Sequence, residues 1–271
     1  MTGFFQTQDG CAIGYTLQAA HAANAPRLAL IHSLALDRTI WDGVVRELDS
    51  EAHLLAYDCR GHGKSGRSGG PYSVEQFASD LAELLDHVQW PSAAVAGCSL
   101  GGCVAQAFGG LYPARAAALG LIDTTAWYGA DAPRQWRERA AKAQAGGLGG
   151  MVDFQVSRWF SDRFRAERPD LAEAATRVFL ATDREAYAST CILLGDADVR
   201  RFQAGMKMPV SVIVGEEDYA TPVAMARQIH ESVEGSTLTI LPGARHLTPI
   251  EKPDRIAAEL RSLLARMAAV A

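Results

Sequence analysis

The stretch Ala93–Gly102, AAVAGCSLGG, restricts what this chain can fold into more than any other. A short apolar run, Ala93–Ala96, leads into Gly97-Cys98-Ser99-Leu100-Gly101, and an Ala-rich segment of helical character, Gly102–Leu111, follows. A G-x-S-x-G between strand and helix makes so sharp a turn that the serine sits at a strained backbone position with its Oγ pushed out of the sheet. Glycines two before and two after are needed, because a Cβ at either place would collide with the neighbouring strand or helix. The helix behind the serine aims its free N–H groups at whatever the serine attacks. The bare pattern is weak, since Gly97 and Gly101 could simply build a strand–helix turn with Ser99 as its N-cap. An acid and then a histidine, each following a strand, decide between the two.

The rest of the chain reads as strands alternating with helices. Asp9-Gly10 is a strong hairpin signal between Phe4–Gln8 and Cys11–Leu17, an antiparallel edge. Further strands are expected at Arg27–Ile31, His53–Tyr57, Ala117–Ile122, Val210–Val214 and Ser236–Leu241. Helices are expected over Asp37–Leu48 with Asp37 as N-cap, from the capping box at Ser73 to about Gln89, over Thr221–Glu234 and over Pro249–Met267. From Trp127 to about Gly205 the rhythm changes to helix rich in Arg and Glu, carrying Trp127, Trp136 and Trp159. The pattern implies an α/β fold with a mostly parallel eight-stranded sheet flanked by helices and joined by right-handed crossovers. A core of residues 1–126 and 207–271 is then interrupted after the sixth strand by a helical cap, 127–206. The cap falls on the carboxyl side of the strands, where such sheets bind ligands.

Composition removes several classes of function. The net charge of −5 with scattered Lys and Arg argues against a nucleic-acid or anionic-membrane partner. No apolar run approaches a membrane span, and MTGFFQTQDG is no signal peptide. Cys11, Cys59, Cys98, Cys103 and Cys191 are odd in number and lack C-x-x-C spacing, which reads as reduced thiols in a cytoplasmic protein. Gly61-x-Gly63-x-x-Gly66 imitates a dinucleotide fingerprint but follows the wrong strand and is succeeded by a loop. Gly63-Lys64-Ser65 imitates a P-loop end without the glycine five residues before, since residue 58 is Asp. Asp196-x-Asp198 is read as solvated acids rather than a metal site. The expected partner is a small-molecule substrate, with no cofactor and no metal, on a monomer or small homo-oligomer.

A serine hydroxyl is a poor nucleophile until a base takes its proton, and the base needs a third group to fix its tautomer. The strand Val210–Val214 is followed by Gly215-Glu216-Glu217-Asp218, and the strand Ser236–Leu241 by Pro242-Gly243-Ala244-Arg245-His246. Both loops leave the carboxyl ends of late strands, on the rim that carries Ser99. Ser99 is therefore assigned as nucleophile, His246 as base and then acid, and Asp218 as the orienting carboxylate. Glu216, Glu217 and Asp123 compete for the acid role, and His32 and His62 are read as shaping the site. The oxyanion donors expected are the N–H of Leu100, next to the nucleophile, and that of Leu34, in the loop after Arg27–Ile31.

Four segments carry a resemblance to a known superfamily. They are Arg60-Gly61-His62-Gly63-Lys64-Ser65, Gly97-Cys98-Ser99-Leu100-Gly101-Gly102, Gly215-x-x-Asp218-x-x-Thr221-Pro222 and Gly243-x-x-His246. With them the chain resembles the α/β-hydrolase superfamily over nearly its whole length. Within that superfamily it is most similar to the 3-oxoadipate enol-lactone hydrolases. That likeness reaches into the cap, at Trp136-x-x-Arg139, Arg158-Trp159-Phe160 and Thr182-Asp183-x-x-x-Tyr187-Ala188-Ser189-x-Cys191. The turn after the third strand departs from the family, with His32-Ser33 where His-Gly is common. The resemblance implies opening of a small carboxylated enol-lactone through an acyl-enzyme. A free carboxylate in a dry pocket needs a cation, and Arg139 and Arg158 are the expected partners, with Trp136 and Trp159 as apolar walls. The other functions compatible with the same triad are a broad carboxylesterase, a carbon–carbon bond hydrolase of ring-cleavage products, and a slow-turnover ligand sensor.

Overall fold

Five apolar segments, RLALI, HLLAY, AAVAGC, AAALGLI and VSVIVG, have almost no polar position, as strands covered on both faces require. In the computed structural model, which describes residues 1–270, they become the central strands β3 (Arg27–Ile31), β4 (His53–Tyr57), β5 (Ala93–Cys98), β6 (Ala116–Ile122) and β7 (Val210–Gly215). The hairpin strands β1 (Thr2–Gln6) and β2 (Ala12–Gln18) join antiparallel at one edge, and β8 (Thr237–Leu241) closes the other. The sheet order is β1-β2-β4-β3-β5-β6-β7-β8. The chain therefore steps outward from β3 to β4, then returns to the far side of β3 for β5. That reversal opens a crevice beyond the carboxyl ends of β3 and β5, and Leu34 and Ser99 follow those two strands.

The helices that cover the sheet begin where the caps predict. Ser73 accepts the Gln76 N–H at the start of α2 (Val74–His87). Asp37 accepts the Thr39 N–H, but the expected single helix is two pieces, a 3-10 turn (Arg38–Trp41) and α1 (Asp42–Glu47). The helix after β5, α3 (Leu100–Leu111), starts two residues earlier than the sequence suggests, directly at the serine. The segment between β6 and β7 is mainly helical, with α4 (Ala132–Gly146), a 3-10 turn (Gly149–Met151), α5 (Val152–Trp159), α6 (Asp162–Glu167), α7 (Pro169–Ala181), α8 (Arg184–Asp196) and α9 (Arg200–Gln203), and an isolated antiparallel bridge pairs Trp127 with Asp198. Helix α10 (Val223–Ser232) connects β7 to β8. The expected closing helix is also broken, into α11 (Thr248–Glu251) and α12 (Pro253–Val270). Pro253 lacks an N–H and disfavours helical geometry at Lys252, which adopts φ −139°. Among the described residues no helix is long and apolar enough to cross a membrane.

The two glycines of the serine turn have a measurable reason. A Cβ on Gly97 would lie 2.0 Å from the Gly101 carbonyl oxygen, and one on Gly101 would lie 2.3 Å from that of Ile31. Both obstacles are backbone, so nothing can rotate away. Gly101→Ala is expected to cost more than about 4 kcal/mol, because relief requires moving α3 off β3. Urea unfolding of the purified variant checks this, and a loss under 1 kcal/mol, roughly a surface-mutation effect, would contradict it.

Candidate active site

Ser99 holds φ 55° and ψ −113°, a backbone conformation that costs a non-glycine residue of order 1–3 kcal/mol. Ser99 occupies the N-cap position of α3, but its side chain makes no cap hydrogen bond to the helix, so its hydroxyl is not spent on capping. The strain is held in place by the Ser99 N–H donating to Ile122 (2.9 Å) and by the Thr124 hydroxyl donating to the Ser99 carbonyl (2.7 Å). The same geometry lifts the Ser99 Oγ to 3.0 Å from His246 Nε2.

His246 and Asp218 reach the serine from two loops that interlock. The Glu217 N–H donates to the Ala244 carbonyl, and a Cβ on Gly215 would meet the Arg245 carbonyl at 2.1 Å. Asp218 Oδ2 lies 2.8 Å from His246 Nδ1. Its Oδ1 accepts the N–H groups of Ala220 (2.7 Å) and Thr221 (2.9 Å), and Oδ2 also accepts the Thr221 hydroxyl (2.8 Å). Burial pushes the Asp218 carboxyl up, but the His246 ring beside it and these donors outweigh burial and hold it below the usual range. An ionised Asp218 accepts the Nδ1–H of His246 and so directs Nε2 to accept from the serine hydroxyl.

The competing acids are occupied elsewhere. Asp123 is fully buried and accepts the Gly215 N–H together with the Thr248 N–H and hydroxyl. Burial, reinforced by the charge of Asp218, pushes its carboxyl well above the ordinary value. Glu216 accepts the Gly243 N–H, and Glu217 pairs with Arg245. His32 donates from Nδ1 to the Ser33 carbonyl (2.7 Å) and accepts the Cys59 N–H at Nε2 (2.9 Å), stitching the β3 turn to the β4 turn. Burial lowers His32 to about 4. Burial and then the neighbouring His32 lower His62 to about 3. Both are neutral above those values, so neither produces a pH limb between 5 and 8.

A small cavity opens above Ser99 and His246. Its walls include Leu34 from the β3 turn and Trp136, Arg139, Arg158 and Trp159 from the cap helices, so every residue singled out for substrate contact borders it. Leu100, whose N–H begins α3, adjoins it through Ser99. Sequence reasoning missed Tyr128 and Gln155, which also line the space. Gln155 carries a readable signal, a polar residue on the apolar face of α5, between Val152 and Trp159. Arg139 donates from Nε to the Tyr187 hydroxyl (2.7 Å) and from Nη2 to Gln155 Oε1 (2.9 Å), with its guanidinium 4.8 Å from the Trp136 ring centre. Arg158 donates to no described residue, and neither arginine has a carboxylate within ion-pair distance among the described residues. Burial, and then the positive charge of Arg139, lower the Arg158 pKa.

The cap is fastened to the histidine loop. The N–H groups of His246 (3.1 Å) and Leu247 (3.0 Å) both donate to the Trp159 carbonyl. Buried Glu251 accepts the Ser161 hydroxyl and the Arg245 N–H (3.0 Å). The Arg245 guanidinium donates to the carbonyls of Ser157 (2.7 Å) and Phe160 (3.0 Å). These bonds set the distance between the imidazole and the cap wall carrying Arg158.

The sequence of residues 28–259 matches the model of the alpha/beta hydrolase family. The chain belongs to that family. This hydrolase is 32% identical to a 3-oxoadipate enol-lactonase of Acinetobacter baylyi over 85% of each chain. It is similar to the crystal structure of the enol-lactonase from Burkholderia xenovorans LB400, with a TM-score of 0.92 at 30% identity, covering 97% of this chain and 100% of that one. A thermophilic esterase from Thermogutta terrifontis superposes with a TM-score of 0.91 at 25% identity, over 98% of this chain and 99% of that one. The hydrolase thus shares its fold with both lactone and ester hydrolases.

Proposed function

We propose that this hydrolase opens a small enol-lactone bearing a free carboxylate, 3-oxoadipate enol-lactone in the nearest reading, through an acyl-enzyme on Ser99. The observation that carries the reading is the pair of guanidiniums, Arg139 and Arg158, that border the cavity above Ser99 without a carboxylate partner. Two like charges brought together under a cap are unfavourable unless the occupant supplies the anion. The similarity to enol-lactonases supports the same substrate class.

The steps follow from the geometry. Ser99 Oγ attacks the lactone carbonyl while His246 Nε2 takes its proton across 3.0 Å. The tetrahedral oxyanion is received by the N–H groups of Leu100 and Leu34, the two donors assigned to it. On collapse the ring oxygen leaves as an enolate, His246 returns the proton, and the enol becomes the ketone. The product remains tethered to Ser99 as an acyl ester. Water then gives a proton to His246 and attacks the ester, and the serine recovers its hydroxyl. Every proton and electron pair comes from the serine, the imidazole, substrate and water.

Arg158→Ala is expected to lower the ratio of kcat/KM on the carboxylated lactone to kcat/KM on an uncharged aryl ester by about 10- to 100-fold, the value of one charge-assisted hydrogen bond pair. Steady-state kinetics on both substrates test this. An unchanged ratio would remove the carboxylate role, and a wild-type enzyme with no preference between the two would make it a broad carboxylesterase.

A further inference from the structure

Two large aromatic side chains stand half exposed beside Arg158, which lines the cavity: Phe154 at 49% and Tyr219 at 50% of their surface. Neither belongs to the packed core. Both rings approach the same guanidinium: the Arg158 Cζ lies 5.0 Å from the Phe154 ring centre and 5.7 Å from that of Tyr219, whose ring also lies 5.6 Å from the Arg245 Cζ. Phe154 and Arg158 are four residues apart on α5, so the stack is built into one face of that helix. Tyr219 comes from the loop of Asp218, and its hydroxyl donates to Ser157 Oγ (3.3 Å) on the same helix. The Arg139 Cζ also lies 5.8 Å from the Phe154 ring centre.

We propose that Phe154 and Tyr219 clamp the Arg158 guanidinium between their rings, and that this clamp sets the preference of the site for carboxylated over uncharged substrates. The inference rests on the functional reading above and deepens it. Arg139 is held by two hydrogen bonds, to Tyr187 and Gln155, whereas Arg158 has none from any described residue. An arginine with no hydrogen-bond partner samples many rotamers, and freezing it when a carboxylate arrives weakens binding. Ring faces carry negative charge density and hold a guanidinium without neutralising it. The stack therefore keeps Arg158 ordered while leaving its N–H groups free for an incoming anion. Phe154 faces both guanidiniums and so also reduces the repulsion between them. Because the clamp acts on recognition and not on the reacting atoms, its loss appears in KM and not in kcat.

The test compares Phe154→Leu with Phe154→Tyr, on the carboxylated lactone and on an uncharged aryl ester. Phe154→Leu keeps apolar bulk but removes the ring, and it is expected to raise KM for the lactone about three- to tenfold, lowering the lactone-to-ester ratio of kcat/KM by as much. Phe154→Tyr is expected to restore the ratio. Tyr219→Leu against Tyr219→Phe repeats the comparison from the other ring. A lactone KM unchanged in both leucine variants, or equal losses on lactone and ester, overturns the inference while leaving the lactone reading intact. A wild-type enzyme that does not favour the carboxylated substrate overturns both.

Discussion

Ser99→Ala is expected to lower kcat on the lactone by about 10⁵- to 10⁶-fold, the loss typical when the nucleophile of a serine–histidine–acid unit is deleted. The expectation follows from where the hydroxyl stands. Its oxygen is the only nucleophilic atom of that side chain, and it sits 3.0 Å from a ring nitrogen free to accept its proton. The methyl of alanine fits the strained turn as well as serine does, so the fold should persist. The residual rate then measures what the cavity and the oxyanion donors contribute without covalent chemistry. Single-turnover and steady-state kinetics with folded Ser99→Ala protein give the number. A decrease of less than about 100-fold would mean that water attacks the lactone directly and that the serine only helps to position it.

Asp218→Asn is expected to lower kcat by about 10⁴-fold with little change in KM. The reason is tautomeric. One oxygen of Asp218 receives the backbone N–H groups of Ala220 and Thr221, and the other faces His246 Nδ1 at 2.8 Å. An asparagine that keeps its oxygen on the two backbone donors must turn its NH₂ toward Nδ1. His246 then carries its proton on Nε2 and cannot accept from Ser99. Asp123→Asn is the matching control, since Asp123 bonds to Gly215 and Thr248 and not to the imidazole. It is expected to reduce kcat by less than about tenfold, acting through packing. Reversed magnitudes in the two variants would reassign the acid to the loop after β6.

The sequence discloses the site by order and spacing, and the structure adds what only distance in space can supply. Gly97 and Gly101 are legible because their role is local: each excludes a Cβ that would strike backbone of the same strand–turn–helix unit or of β3, its neighbour in the sheet. Asp218 and His246 are legible because a parallel sheet delivers every strand's carboxyl end to one rim, so chain order predicts proximity. The cap has no such rule. Arg139 is placed by Tyr187, 48 residues on, through helices α4 and α8, and the two helices approach closely enough that a Cβ on Gly195 would touch the Trp136 Cβ at 2.8 Å. Periodicity names the helices but not which faces meet. Glu251 shows the same limit. It reads as one more acid near a helix end, yet it is buried and accepts both the Ser161 hydroxyl and the Arg245 N–H, joining cap to core. The broken helices at Asp37–Leu48 and Thr248–Val270 are partly legible, since Pro253 marks the second break while nothing in RTIWDGVV marks the first.

Labelling with a fluorophosphonate, followed by peptide mapping, tests the account at its centre, because the reagent bonds only to a serine whose proton is being drawn off. The predicted result is one adduct per chain, on the peptide containing Ser99, abolished in Ser99→Ala and slowed in Asp218→Asn. Lactone turnover by a wild-type protein that takes no label, or an adduct that survives Ser99→Ala, would contradict it.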